Sequence, residues 1–336
     1  MSKTSIEWLP ALGLNVCRTS GATMGTRYSA RFHTPPGADL RGIVADLASA
    51  VTTVDEQMSN WKAGSDLSRL NRASPGDWVG IPASLVAVLL RAVHIGRTTG
   101  NAFNIGVGDL VAACGFGPHG GRHAPRLPPV QGPCPALHDL LEIDVDGCRA
   151  RRHQPVALDL CGIAKGFGVD ELAGVLRRHG IGSWLVCIDG ELRACGTRPD
   201  GAPWAIALEA PDDDRRAAMA VVELGDAAVA TSGDYRHWKR VDGQRISHTM
   251  DPRTGQPLQG TLAAVTVIAA DCTDADAYAT ALMVLGAQDG PTCAQRLGLD
   301  ALFVHRVDGD LSTRGTGFFA DRSIAATAEG HPPATD

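Results

Sequence analysis

Residues 247–258 read SHTMDPRTGQPL, and residues 265–286 read VTVIAADCTDADAYATALMVLG. The run divides into a polar turn, a buried strand and a helix opened by acids. Val265, Val267 and Ile268 are β-branched, which suits a strand. Thr273, Asp274 and Asp276 crowd the start of a segment rich in Ala, Leu and Met. Side-chain oxygens gather at helix starts because they accept from the free N–H groups there. Asp276 and Thr280 are spaced i, i+4, so they share one helix face at about 5–6 Å between Cβ atoms. A carboxylate and a hydroxyl so placed are oxygen ligands of the kind a hard divalent cation takes. Acids in a first turn more commonly serve the helix dipole. Just upstream, His248 precedes Asp251, Pro252, Arg253, Thr254 and Gly255, a turn built from residues that turns favour. The stretch marks a site without naming its chemistry.

Working outward, Thr26, Tyr28, Ala30 and Phe32 alternate with polar residues and predict a half-exposed strand. The glycines flanking Met24 permit a tight backbone before it. Ile43, Leu47, Ala50, Val51 and Val54 predict an amphipathic helix over 39–54. Ser65 ahead of Leu67 and Leu70 predicts a short capped helix, and Pro82 opens a helix over 84–99. Residues 101–117 read as a loop turning into a short helix, and 117–135, rich in Pro and Gly, as an irregular excursion. Within it His119 and His123 stand at i, i+4, but nothing there favours a helix that would pair them on a metal. Strands are expected at 141–144, around 157–160, and at 184–188, 204–208, 219–224, 228–231, 235–241 and 244–247. Asp242-Gly243 is a hairpin signal. A helix is expected from about 162 to 178, ended by Gly180. A second helix near 288–297, a strand at 301–305 and a polar tail complete the chain. Thr231, Ser232, Gly233 and Asp234 read as a β-turn or a ligand contact. Helices fall early and mid-chain and short strands dominate 184–270. The pattern is α+β with mostly antiparallel, mixed sheets and flanking helices, not a doubly wound fold.

The chain has 336 residues, 44% hydrophobic and 20% charged, with a net charge of −6. That composition supports a sizeable core, and the lack of basic excess argues against nucleic acid as a partner. No run of about 18 apolar residues exists to span a membrane. Glu7 and Pro10 interrupt what a signal peptide would need, so a cytoplasmic protein is expected. Nine cysteines without a C-x-x-C pair read as reduced, mostly buried thiols.

A second candidate is 158–172, LDLCGIAKGFGVDEL. An acid, a glycine turn and Lys165 at a helix start would suit phosphate, although the P-loop spacing is absent. Phe103 and Trp61 offer stacking faces or ordinary packing, Met24 a ring contact or core filling, and His248 a base or a plain turn residue.

In order, GATMGTRYS, MSNW…SDLSRLN, AFNIGVGDLV, LDLCGIAKGFGVD, IDGELRACG, TSGDY, ISHTMDPRTGQP and TDADAYATALMVLG resemble the ApbE family of FAD:protein FMN transferases over roughly 20–305. The resemblance implies an ApbE-like (T-fold-like) architecture. It divides the chain into an N-terminal extension (1–20), one flavin transferase domain of two intertwined lobes (21–320) and a flexible tail (321–336). It implies Mg²⁺-dependent movement of FMN from FAD to a Thr or Ser hydroxyl of an acceptor protein, releasing AMP. By matching position, Asp276, Thr280 and the Gly162 carbonyl would be metal ligands and His248 the base. Met24, Trp61, Ala102, Phe103, Asn104, Asp159, Lys165 and Met250 would line FAD. Four residues depart from the family: Asn104 (commonly Asp), Asp109 (frequently Pro), Trp61 (usually Tyr) and Cys161 (commonly Gly or Ser). An FAD pyrophosphatase and a non-catalytic FAD-binding or delivery protein are the competing readings. The first would share the site; the second would need neither base nor metal.

Overall fold

The structure is a computed structural model and describes residues 3–9, 13–118, 132–212, 216–236, 238–241, 244–307 and 310–320. Its frame is a nine-stranded sheet: β1 (Lys3–Leu9), β2 (Leu14–Thr23), β3 (Thr26–Thr34), β4 (Trp184–Ile188), β5 (Glu191–Cys195), β6 (Ala228–Gly233), β7 (Leu262–Ala269), β8 (Asp300–Val307) and β9 (Asp310–Thr316). These strands lie side by side in chain order, and each neighbouring pair is antiparallel. The expected α+β class with antiparallel sheet is what forms.

The helices are α1 (Leu40–Met58), α2 (Asp66–Arg72), α3 (Ala83–Thr98), α4 (Gly108–Ala113), α5 (Leu137–Leu140), α6 (Ala164–Arg178) and α7 (Cys272–Leu297). Alternation along β3 turns Tyr28, Ala30 and Phe32 toward one face of the sheet. There they pack with Ile43, Leu47 and Val51 of α1 and with Val169, Leu172 and Leu176 of α6. The opposite face is covered by a ribbon of strands Trp204–Glu209 and Ala218–Leu224, whose Trp204, Ile206 and Leu208 meet Ala194, Val229 and Leu302. A third core joins α3 to α7 through Leu85, Leu89, Ile95, Ala277, Ala281 and Leu282. As expected, the Ser65 hydroxyl caps α2 by accepting from the Ser68 N–H at 3.0 Å.

Of residues 1–20, Lys3–Leu9 form the edge strand β1 and 14–20 belong to β2, which pairs with β3 from Asn15 to Thr23. The hairpin between β2 and β3 turns through Met24 (φ 46°) and Gly25 (φ 73°), and positive φ at both positions matches the right-handed twist of the strands. Several expectations are corrected. Residues 157–160 form no strand. Asn71 occupies the place of a neighbouring strand: its amide donates to the Leu158 carbonyl and accepts from the Leu158 N–H, both at 2.8 Å. Residues 231–233 end strand β6 instead of forming a β-turn. Beyond 307, β9 replaces the expected polar tail. The expected second helix near 288–297 is the far part of α7, broken at Gly286 (φ 80°, ψ −168°). His119, His123, Asp242, Gly243 and residues 321–336 lie outside the described residues, although Val241 and Gln244 pair across the hairpin position as expected.

Candidate active site

Two helix starts meet here. Four acids of the neighbourhood divide the work among them. Asp271 caps α7, accepting from the Asp274 N–H at 2.9 Å. Asp170, on α6, accepts from the N–H groups of Cys272 and Thr273 at 3.0 and 2.9 Å. Asp274 pairs with Arg91. Asp276 serves α7 in none of these ways. It is 4% exposed, and its Oδ2 accepts from the Gly166 N–H of α6 at 2.9 Å. Helix α6 has no side-chain cap at its own N-cap residue, Ile163, so a carboxylate from α7 meets its first turn.

One turn further along α7, Thr280 Oγ1 lies 3.0 Å from Ser232 Oγ at the end of β6. Gly162 packs against the same hydroxyl: a Cβ at that position would stand 3.1 Å from Thr280 Oγ1 and 3.4 Å from Phe103 Cε2. The structure thus brings together Asp276, Thr280, Gly162 and Phe103. Among the described residues no group of three or more His, Cys, Asp or Glu side chains could hold a metal ion. One carboxylate, one hydroxyl and a glycine backbone make a different set, all hard oxygen, which suits Mg²⁺ with ligand oxygens and water completing the shell.

Charge around this set favours a cation. Lys165, in the first turn of α6, donates from Nζ to Glu191 Oε1 at 2.6 Å and lies 3.9 Å from Asp189 Oδ2. Burial pulls the ammonium's pKa down, but Glu191 and Asp276 outweigh it and hold the pKa above its ordinary value. Burial, and then the charge of Glu191, push Asp276 up to about 7, against the opposing pull of Lys165 and the Gly166 N–H. Glu191 is likewise raised by burial and restrained by Lys165. A buried carboxylate whose pKa is so raised is short of positive charge.

The other candidates sort by what their polar atoms already do. Asp159 Oδ1 accepts from the Cys161 N–H at 2.8 Å, shaping the turn ahead of α6. Asn104 is committed to its own loop: Oδ1 accepts from Gly106 N–H at 2.7 Å, and Nδ2 donates to Asn101 Oδ1 and the Pro135 carbonyl at 2.8 and 2.9 Å. Asp109 accepts from the Ala157 N–H at 2.9 Å, which ties α4 to the same strandless segment. Ala102 and Phe103 are buried. Met24 reaches α6, where its Cε lies 3.0 Å from a Cβ built on Gly168. Met250 is buried with Leu110, Cys114, Val241 and Ile246. Trp61 stands apart at 66% exposed, so packing does not account for it. The His248 ring meets Phe116 edge-on at 6.2 Å. Its loop is anchored downstream by Arg253, which donates twice to Asp251 and, at 2.8 Å, to the Val284 carbonyl of α7.

Sequence reading assigned no role to Glu191, and read Ser232 only as part of a β-turn or a ligand contact. A glutamate after an Asp-Gly turn carries no local signal, and only the tertiary fold puts Glu191 beside Lys165 and Ser232 beside Thr280.

The ApbE family model matches residues 24–303. This chain belongs to the ApbE family. An FAD:protein FMN transferase of Vibrio cholerae is 35% identical over 294 residues, covering 86% of this chain and 87% of that one. One of Haemophilus influenzae is 32% identical over 92% of this chain and 94% of the relative. Among solved structures, the apo form of the Pseudomonas stutzeri flavinyl transferase ApbE superposes with a TM-score of 0.81 at 35% identity, covering 90% of this chain and 95% of that one. The architecture expected of an ApbE protein is therefore present. No helix among the described residues is long and apolar enough to cross a membrane.

Proposed function

We propose that this ApbE protein is an FAD:protein FMN transferase: it moves FMN from FAD onto a Thr or Ser hydroxyl of an acceptor protein and releases AMP. The observation that carries the reading is the convergence of Asp276, Thr280 and Gly162 at the meeting of two helix starts, with Lys165 beside them. Relatives that share the fold and about a third of the sequence bear the transferase name.

In the reaction, the acceptor hydroxyl oxygen attacks the FMN-side phosphorus, and the bond from that phosphorus to the AMP oxygen breaks. His248 takes the hydroxyl proton, a role for which imidazole is suited near neutral pH. Lys165 and the N-terminal turn of α6 favour the phosphate charge. Mg²⁺ held by Asp276, Thr280 and the Gly162 carbonyl would neutralise the pyrophosphate and stabilise the departing AMP. Phe103, Met24 and Trp61 would hold the flavin nucleotide by apolar and stacking contact. On this reading the catalytic unit is one domain, residues 21–320, together with the strand pairing that precedes it.

The test is incubation with FAD and Mg²⁺, with and without a flavin-acceptor domain, following AMP release and the acceptor's intact mass. AMP together with an FMN adduct on the acceptor is the expected result. AMP with free FMN and no adduct would replace the transferase by an FAD pyrophosphatase. FAD binding with no AMP under either condition would leave a binding or delivery protein.

A further inference from the structure

Glu191 is the first residue of β5, the middle strand of the sheet. It is 2% exposed. Alternation along β5 puts Leu192 and Ala194 with the ribbon-side core, so Glu191 and Arg193 face the helices. Arg193 there donates to Asp170. Glu191 Oε1 accepts from Lys165 at 2.6 Å, while its Oε2 is buried with no hydrogen-bond partner in the structure. A buried carboxylate with one oxygen unsatisfied is a net burden on stability, and the ion pair with Lys165 only partly offsets it.

Lys165 feels three carboxylates, Glu191, Asp276 and the more exposed Asp189. It forms its ion pair with Glu191 and Asp189 and none with Asp276, whose recorded partner is the Gly166 N–H. A lysine is a point charge on a flexible stem, and would turn to Asp276 if Glu191 were neutral. We infer that Glu191 is a positioning residue: it holds the Lys165 ammonium away from Asp276, keeping that carboxylate open for a divalent cation and aiming the ammonium at the substrate phosphates. The inference rests on the transferase reading of the site and adds to it a residue that touches neither metal nor substrate.

The experiment measures Mn²⁺ affinity by electron paramagnetic resonance without nucleotide, and FAD affinity by flavin fluorescence, on the full chain. Four proteins are compared: wild type, Glu191→Gln, Lys165→Met and the double variant. Glu191→Gln is expected to weaken Mn²⁺ binding about 10–100-fold, the range seen when groups that orient metal ligands are removed. In the double variant Mn²⁺ affinity should return toward the wild-type value, since the ammonium that had turned to Asp276 is gone. A purely structural role for Glu191 would give no such rescue. Should Glu191→Gln fail to fold, Glu191→Asp retains the charge and shortens its reach, and FAD affinity should fall while Mn²⁺ affinity holds. Wild-type Mn²⁺ and FAD affinities in Glu191→Gln, or a double variant no better than Glu191→Gln, would overturn the inference alone. A wild-type protein that binds neither Mn²⁺ nor FAD would overturn the transferase reading with it.

Discussion

Asp276 of α7 accepts from the Gly166 N–H of α6 at 2.9 Å, so an acid read as part of one helix's start closes the first turn of another. Together with Asp170 of α6, which accepts from the Cys272 and Thr273 N–H groups, this contact ties the two helix starts to each other. Asp276→Asn keeps an acceptor for Gly166 but loses the charge. AMP release from FAD should fall by two orders of magnitude or more, about the effect of losing one transition-state electrostatic contact, while the fold is kept. Turnover at the wild-type rate in this variant would remove Asp276 from the site.

In metal-free protein Asp276 stands near 7, against 3.8 for an ordinary aspartate. Between these values the folded state binds more protons than the unfolded one, so the contribution of Asp276 to stability falls as pH rises from about 4 to about 7. Urea midpoints in EDTA, taken across that window for wild type and Asp276→Asn, should diverge in favour of the variant as pH increases. Parallel curves would show that the carboxylate titrates normally.

Gly166 has no room for a side chain. A Cβ there would overlap the Cys272 carbonyl oxygen and stand 2.8 Å from Asp276 Cβ. Gly166→Ala should therefore destabilise by about 1–3 kcal/mol, as overpacking does, and should lower Mn²⁺ affinity by moving α7. An unchanged urea midpoint would contradict the close approach of the two helices.

Asn104→Asp would install the residue that the family resemblance leads one to expect, yet a carboxylate cannot donate to Asn101 Oδ1 and the Pro135 carbonyl as the amide does. A loss of about 1–3 kcal/mol is expected from the unsatisfied acceptors, read as a shift of the urea midpoint. A neutral or stabilising result would show that the loop re-forms around the acid.

His248→Ala should slow transfer about 10²–10⁴-fold, the usual worth of a general base, with FAD and Mn²⁺ affinities unchanged. A wild-type rate would exclude His248 as the base.

Much of this was legible from sequence where local chemistry decides the outcome. Ile43, Leu47, Val51 and Val54 gave α1 its buried stripe, Ser65 its helix, and Gly180 (φ 71°) its stop after α6. The i, i+4 spacing of Asp276 and Thr280 put both on one helix, as α7 has them. What local reading missed depends on distant partners. Residues 14–23, with polar Arg18, Thr19, Ser20 and Thr23, lack clean alternation and become a strand because β3 pairs with Asn15 to Thr23 and β1 with the other side. Residues 157–160 look like a strand, but Asn71 meets their backbone groups. Sequence could show that acids crowd the start of α7, but not which would cap it, which would pair with Arg91, and which would turn to α6.

The strands lie in chain order, but residues 35–183 separate β3 from the β4 it pairs with. Joining those two strands closes a very long loop, and its entropy must be met before the pairing returns anything. Leu67, Leu70, Leu85 and Leu89 of that segment pack in one core with Val265 of β7 and Ala277 and Leu282 of α7, so the core of the loop is completed by residues that come after it. Lys165 and Gly166 lie inside that loop while Glu191, Ser232 and Asp276 come after it, so the proposed site forms only when the two parts of the chain have joined. A chain halted before α7 would hold strands and helices but neither Asp276 nor Thr280.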